Sequence, residues 1–323
     1  MDGLKRVLVV VNKWWEADAV MYALLSKDCR SAALGVPNEL AQQRPRPLAH
    51  PAAEPNPRAV WLLKHTRVEL WCISDLLEDL PDVPAKQSST ERKAERLQKV
   101  IEAGPDPDLL IAVGTAGSPL PERLNGAVAL GTQVFMHDAH ADDSNPDSGW
   151  HGGPFDTTVP SSLAEAAFGV WTEALGARWP EIGKRFWVPP FGAASAGTYR
   201  QTQPAAAWTD AAPGRLLVDY RNVALGSVNV TDYSEYAWSD AATVRAYLGH
   251  GGQADRGVSL ETTHGLIRVQ AEVPFLFVSG ITDRVGHFDE EVTPRAYAQN
   301  TACAHNAGVV LGWLLPEIDI RPA

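Results

Sequence analysis

Phe275-Leu276-Phe277-Val278-Ser279-Gly280-Ile281-Thr282-Asp283-Arg284 is an unbroken apolar run that leads into Ser-Gly and then a carboxylate. Such a run suits a strand buried on both faces of a sheet. Ligands gather beyond the carboxyl ends of strands in α/β sheets, and Gly280 is expected to permit a close approach of ligand to this strand end. Asp283 is therefore placed for acid/base work, because partial burial raises a carboxyl pKa and lets it hold a proton. The plainer reading makes it a helix N-cap or the partner of Arg284.

Working outward, similar runs recur at Val7–Val11, Ala59–Leu63, Val68–Ile73 and Leu109–Val113. Helical patterns lie between them. Glu91–Ala103 carries charges on one side and Leu97, Val100 and Ile101 on the other. Ser162–Ala177 opens on a candidate serine cap, and alanine-rich Ala296–Leu315 is expected to end at Pro316. Strand–helix alternation predicts an α/β fold. Gly35–Pro57 and Asp142–Pro160 read as long loops, and no linker divides the chain, so one domain is expected over residues 1–323.

Composition narrows the function. The 323 residues are 45% hydrophobic, enough for a sizeable core, and carry a net charge of -11. An acidic chain repels phosphate backbones, so nucleic acid is not an expected partner. The three cysteines, Cys29, Cys72 and Cys303, are widely spaced and form no metal or disulfide pattern. The first apolar run is too short for a signal segment or a membrane span. A cytoplasmic protein with no membrane association and no metal is expected.

Three more segments can carry chemistry. Ile111-Ala112-Val113-Gly114-Thr115-Ala116-Gly117-Ser118 takes a strand into two glycines around a hydroxyl. Small residues let a ligand approach the backbone, although an ordinary strand-to-helix turn looks the same. Gly257-Val258-Ser259-Leu260-Glu261-Thr262-Thr263-His264-Gly265 sets a lone Glu among apolar and small residues. Burying it requires partners, which a sugar diol supplies; a solvated helix start is the alternative. Val11-Asn12-Lys13-Trp14-Trp15-Glu16 brings a carboxylate just past the first strand, where it can also be the acidic first turn of a helix.

The order of these segments resembles the nucleoside phosphorylase/nucleosidase superfamily, and within it the methylthioadenosine/S-adenosylhomocysteine nucleosidases. The resemblance runs through most of the chain, with regions near 30–60 and 142–215 as insertions. It implies a three-layer α/β fold with a mixed central sheet flanked by helices. It also implies cleavage of an N-glycosidic bond in a purine-type nucleoside, with no cofactor, by a homodimer or larger homo-oligomer. By the same resemblance Asp283 protonates or hydrogen-bonds the leaving base, and Glu16 positions or deprotonates the attacking water. Glu261 holds the ribose hydroxyls, Leu260 packs under the sugar, and Thr115 lies near the nucleophile. Gly226–Val230 falls where backbone groups grip the base, which makes Asn229 and Val230 substrate-binding candidates. Asn229 stands where a stacking aromatic is expected, with Tyr233, Tyr236 or Phe135 as substitutes. Ser259 replaces a second family glutamate, and His264 reads as a structural histidine.

Phosphorolysis needs arginines or a glycine-rich nest for phosphate. The first strand leads instead to Lys13-Trp14-Trp15, and Ala112 stands where related phosphorylases carry an arginine. A carboxylate such as Glu16 repels phosphate and can activate water, so hydrolysis is the expectation. Lys13, Arg221 and Arg284 keep a phosphorylase open, and a nucleoside-binding protein without turnover is the rival from another class. Asp142–Pro160, with Trp150, His151 and Phe155, is either a cap over the site or a subunit contact.

Overall fold

The structure, a computed structural model, describes residues 4–40, 56–78, 89–141, 149–187, 215–230, 235–287, 291 and 296–320. Its first half contains β1 (Lys5–Val11), α1 (Trp14–Leu25), β2 (Glu39–Leu40), β3 (Ala59–Leu62), β4 (Thr66–Cys72), α2 (Ile73–Glu78), α3 (Ser89–Glu102) and β5 (Leu109–Ser118). β6 (Val128–Gly131), β7 (Gln133–Asp138), β8 (Thr158–Val159), α4 (Glu165–Ala177) and α5 (Trp179–Ile182) follow. The last third holds β9 (Leu216–Val218), β10 (Val223–Val228), α6 (Tyr236–Gly249), β11 (Gly257–Glu261), α7 (His264–Val269), β12 (Phe275–Arg284) and α8 (Ala296–Ile320).

The twelve strands among the described residues join one mixed sheet, ordered β2-β3-β4-β1-β5-β11-β10-β7-β8, with β12, β6 and β9 branching from β5. Alternate residues of β1 enter opposite layers. Val7, Val9 and Val11 pack with Val20, Leu24, Trp171 and Leu311 of α1, α4 and α8. Leu8 and Val10 pack with Leu76, Leu97 and Leu266 of α2, α3 and α7. This is the expected three-layer arrangement, and it follows from strands that are apolar on both faces.

The connection that builds the cleft is on β5. One edge of β5 pairs in parallel with β12 from Leu110↔Phe275 to Ser118↔Arg284. The other edge is taken by β1 as far as Val113↔Val11, and then by β11 at Gly117↔Leu260. Between these two partners the edge opens beside Gly114–Ala116.

Four expectations change here. The Gly114–Gly117 segment is not a strand-to-helix turn, because β5 stays paired with β12 through it. Gly280 does not admit a ligand: a Cβ there would overlap the Cys303 carbonyl of α8, so the glycine serves helix-on-strand packing. The fourth helix starts at Glu165 without a side-chain cap; nearby Ser161 accepts the Phe275 N–H instead, at 2.7 Å. The last helix runs through Pro316 to Ile320. Proline removes the N–H that would bond the Gly312 carbonyl, and Ser31 N–H takes that carbonyl at 3.3 Å.

Candidate active site

The turn after β1 puts Glu16 in the first turn of α1. Its carboxylate is buried, and three donors hold it. Lys13 N–H donates to Oε2 at 2.8 Å, while the N–H and hydroxyl of Thr115 donate to Oε1 at 2.7 and 2.6 Å. A Cβ on Gly114 would stand 3.1 Å from Oε1, so glycine lets the carboxylate lie against β5. Burial pushes the Glu16 carboxyl above the ordinary range, and the donors from Thr115 and Lys13 oppose that push. Glu16 thus stands in the first turn of a helix and also lines the cleft described below.

Asp283 faces the other edge of β5, paired in register with Gly117. It is 6% exposed, and Thr282 Oγ1 donates to its Oδ1 at 2.5 Å. Burial, partly offset by that hydrogen bond, pushes its carboxyl up to about 6. Arg284 turns away and pairs with buried Glu291 at 2.6–2.7 Å. Asp283 lies within a strand, so it neither caps a helix nor serves as the partner of Arg284.

Glu261 ends β11. Thr263 N–H and hydroxyl donate to its Oε2 at 2.6 and 2.5 Å, and His264 N–H donates to Oε1. Glu261 therefore tethers the start of α7, yet a carboxylate has about four acceptor sites and keeps capacity on its cleft side. His264 sits behind it, buried, with Nδ1 3.2 Å from Ser279 Oγ. Burial lowers the His264 pKa, which suits the structural role expected for it.

Glu16, Thr115, Leu260, Glu261 and Asp283 line one cleft, so five of the eight sequence-derived site residues come together. Leu260 is packed from behind by Phe135, Leu225 and Tyr247, which places Phe135 in the core and not over a base. Asn229 and Val230 are not brought to the cleft. Asn229 adopts φ 58° and uses its whole amide internally. Its Oδ1 accepts Trp150 N–H at 2.8 Å, and its Nδ2 donates to Asp138 at 2.6 Å and to the Trp150 carbonyl at 3.1 Å. Trp150 and Phe155 thereby pack into the layer around Met136 and do not cap the cleft. Tyr233 lies outside the described residues, as do residues 142–148.

Sequence reasoning missed Asp240 and Lys93. Asp240 lines the cleft from α6, one turn after Tyr236. Burial and the charges of Asp283 and Glu261 push its carboxyl up to about 8. Lys93 is buried on α3, where burial and Lys13 push it down to about 8 against the pull of Glu261 and Glu16. Lys93 shares a helical stripe with Leu97 and Val100, and a charge on an apolar stripe was the available signal. Among the described lining residues Lys13 is the one cation, against Glu16, Asp240, Glu261 and Asp283. No group of His, Cys, Asp and Glu among the described residues could hold a metal ion.

An acidic cleft at the strand ends of a three-layer sheet, entered from both edges of one long strand, describes a fold class. The chain has the nucleoside phosphorylase/nucleosidase fold. Futalosine hydrolase of Helicobacter pylori superposes with a TM-score of 0.55 at 9% identity, over 97% of each chain. The 5′-methylthioadenosine/S-adenosylhomocysteine nucleosidase of the same organism gives 0.53 at 9% identity, over 97% of this chain and 99% of that one. The S-adenosylhomocysteine nucleosidase of Streptococcus pyogenes gives 0.51 at 10% identity, over 97% of both. No protein-family model matches the sequence, and no curated protein matches it either.

Proposed function

We propose that this chain is a nucleosidase that hydrolyses the N-glycosidic bond of a purine-type nucleoside or nucleoside derivative. The observation that carries the proposal is the placing of two buried carboxyls, Glu16 and Asp283, on opposite edges of β5, with Glu261 lining the same cleft. The likeness of fold to nucleosidases supports it. The bond from C1′ to the base breaks with its electron pair going to the base, and Asp283 delivers a proton to that base. Water adds to C1′, and Glu16 accepts the proton that the water loses. Glu261 holds the sugar hydroxyls, and its charge favours the cationic sugar of the transition state. No step calls for a metal or organic cofactor.

Hydrolysis fits better than phosphorolysis because the cleft is crowded with carboxyls. Arg284 is engaged with Glu291, and exposed Arg221 lies near Asp219. Lys13, with buried Lys93 behind it, is the feature that favours the phosphorylase reading. Incubation with a nucleoside panel, with and without phosphate, decides: free base and free ribose without phosphate are expected. Release that depends on phosphate gives the phosphorylase, and no release at all gives the binding protein. The substrate-binding set is Glu261, Leu260 and Thr115. The protein is one domain over residues 1–323, built on one continuous sheet. Its three unpaired, buried cysteines suit the cytoplasm. Among the described residues no helix is long and apolar enough to cross a membrane.

A further inference from the structure

Among the described residues, two buried polar atoms of cleft-lining side chains have no hydrogen-bond partner: Oδ1 of Asp240 on α6 and Oδ1 of Asn300 on α8. Buried polar groups in folded proteins are nearly always paired, so two unpaired oxygens on side chains that line one cleft call for partners that a polar ligand there can supply. Asp240 is also one helical turn from Tyr236, and both side chains line the cleft. Residues spaced by four share a helix face. An aromatic ring and a carboxyl thus reach the same space, on the side of Asp283.

We propose that Tyr236 and Asp240 read the leaving base: the ring stacks on its face, and the carboxyl, as donor and acceptor at once, pairs with an edge offering one donor and one acceptor. The six-position edge of adenine or hypoxanthine has that pattern, whereas guanine adds a second donor. This rests on the nucleosidase reading of the cleft, in which Asp283 handles the base. It also supplies the aromatic that is missing at Asn229.

The chemistry requires Asp240 to keep its proton near neutrality, since an ionised carboxylate only accepts. Its surroundings arrange this. Burial raises its pKa most, and the charges of Asp283 and Glu261, which face it, add to that. Glu16 and Lys13 stand across the cleft. α6 packs otherwise on β7 and β10. The titratable groups of β7 are engaged: His137 with Asp156, and Asp138 with Asn229. β10, Val223–Val228, has none. With the Asp240 carboxyl pushed up to about 8, it is mostly neutral at pH 7 and mostly ionised at pH 9.

Adenine binding to the full chain, followed by calorimetry at pH 7 and pH 9, tests this. A carboxyl titrating at about 8 should weaken adenine binding roughly tenfold across that interval. Asp283, at about 6, is largely ionised at both values and contributes little to the difference. Asp240→Asn retains one donor and one acceptor, so its adenine affinity should be level with pH. Tyr236→Leu should weaken binding equally at both values, by roughly fivefold to a hundredfold for a lost stack. Guanine should not lose affinity between pH 7 and pH 9. Native affinity for adenine that is level, or that rises with pH, overturns the role of Asp240. If base release from nucleosides persists in that case, only the α6 reading fails. If the native protein neither binds purines nor releases base, the nucleosidase reading fails with it.

Discussion

Replacing Asp283 with Asn should move activity and stability in opposite directions. The carboxyl is 6% exposed and titrates at about 6 instead of its ordinary 3.8. A carboxyl with a raised folded-state pKa contributes stability that is fully present below its unfolded value and is lost as pH rises through the folded one. The window here is therefore about pH 4 to 6. A difference of roughly 2 pH units corresponds to about 3 kcal/mol, the order of magnitude of the penalty for ionised Asp283 at pH 8. Asn has no charge to bury, and its Oδ1 can still accept from Thr282 Oγ1, so the variant should melt higher than the native protein at pH 8. At pH 4 the advantage should disappear. Catalysis should suffer the reverse. At pH 7 about a tenth of native Asp283 holds its proton, and kcat/KM should fall as pH rises through about 6. The amide holds no transferable proton, so kcat should drop ~10²–10⁴-fold, the usual worth of general acid catalysis. Base release followed by absorbance, with thermal melts at pH 4 and pH 8, reads both effects. Near-native base release by Asp283→Asn would refute the acid assignment and most of the case for a glycosidic-bond enzyme.

Glu261→Gln places an N–H donor where backbone and hydroxyl donors already converge, so KM for a ribonucleoside should rise and kcat fall, with the fold retained; unchanged kinetics would remove Glu261 from the site. Thr115→Val deletes a 2.6 Å donor that favours ionised Glu16. A hydrogen bond to a charged group is worth roughly 1.5–3 kcal/mol, so the acidic limb of kcat/KM should move up by about 1–2 pH units, and Thr115→Ser should restore it. Gly280→Ala sets a Cβ 2.6 Å from the Cys303 carbonyl carbon, on helix backbone that cannot give way alone; its melting temperature should fall by more than the usual effect of ~1–3 kcal/mol of overpacking, and a native-like melt would refute the close packing of α8 on β12. Trp238 and Tyr22, each about half exposed, suit an aromatic interface, so sedimentation at micromolar concentration should give a homodimer or larger, and a monomer would contradict this.

The strands that were legible in the sequence are those buried on both faces. Val7–Val11 or Phe275–Val278 stays apolar whichever way each side chain points, so register does not have to be guessed. The strands left unread, such as Val223–Val228 and Gly257–Glu261, are short and interrupted by Gly and Ser. In the sequence α1 shows only as a helix start at Glu16, and its extent escapes for the opposite reason. Seven of its twelve residues are buried, on more than one face, so it shows no amphipathic period. The same logic divides the site. Glu261 and Asp283 stand at strand ends, Thr115 follows the apolar half of β5 and Glu16 opens the helix after β1, so in each case a carboxylate or hydroxyl contrasts with an apolar run before it. Asp240 sits inside a helix whose buried stripe is Ser239, Thr243 and Tyr247, and nothing in that polar surrounding marks it. Asn229 misled because its place in the order of segments suggested base contact, whereas its left-handed backbone and fully engaged amide make it a pin for the Trp150 segment.

Hydrolysis by this pair of carboxyls requires one to be ionised while the other holds a proton, and burial alone raises both. Hydrogen bonding acts on them differently. The donors on Glu16 include two backbone N–H groups, which can only donate, so its ionised form satisfies them and its protonated form wastes at least one. Asp283 has a single donor, a hydroxyl that can rotate, and its Oδ1 partner survives protonation at Oδ2. The negative charge of Glu291 adds to the pressure on Asp283 to stay neutral. Two carboxyls of similar burial thus meet different hydrogen bonding, while a neighbouring carboxylate, Glu261 for Glu16 and Glu291 for Asp283, adds to the upward push on each. Each lies on its own edge of β5, with the Gly114–Gly117 backbone between them, so in the proposed reaction the proton taken from water and the proton given to the base would be handled from opposite edges of that strand.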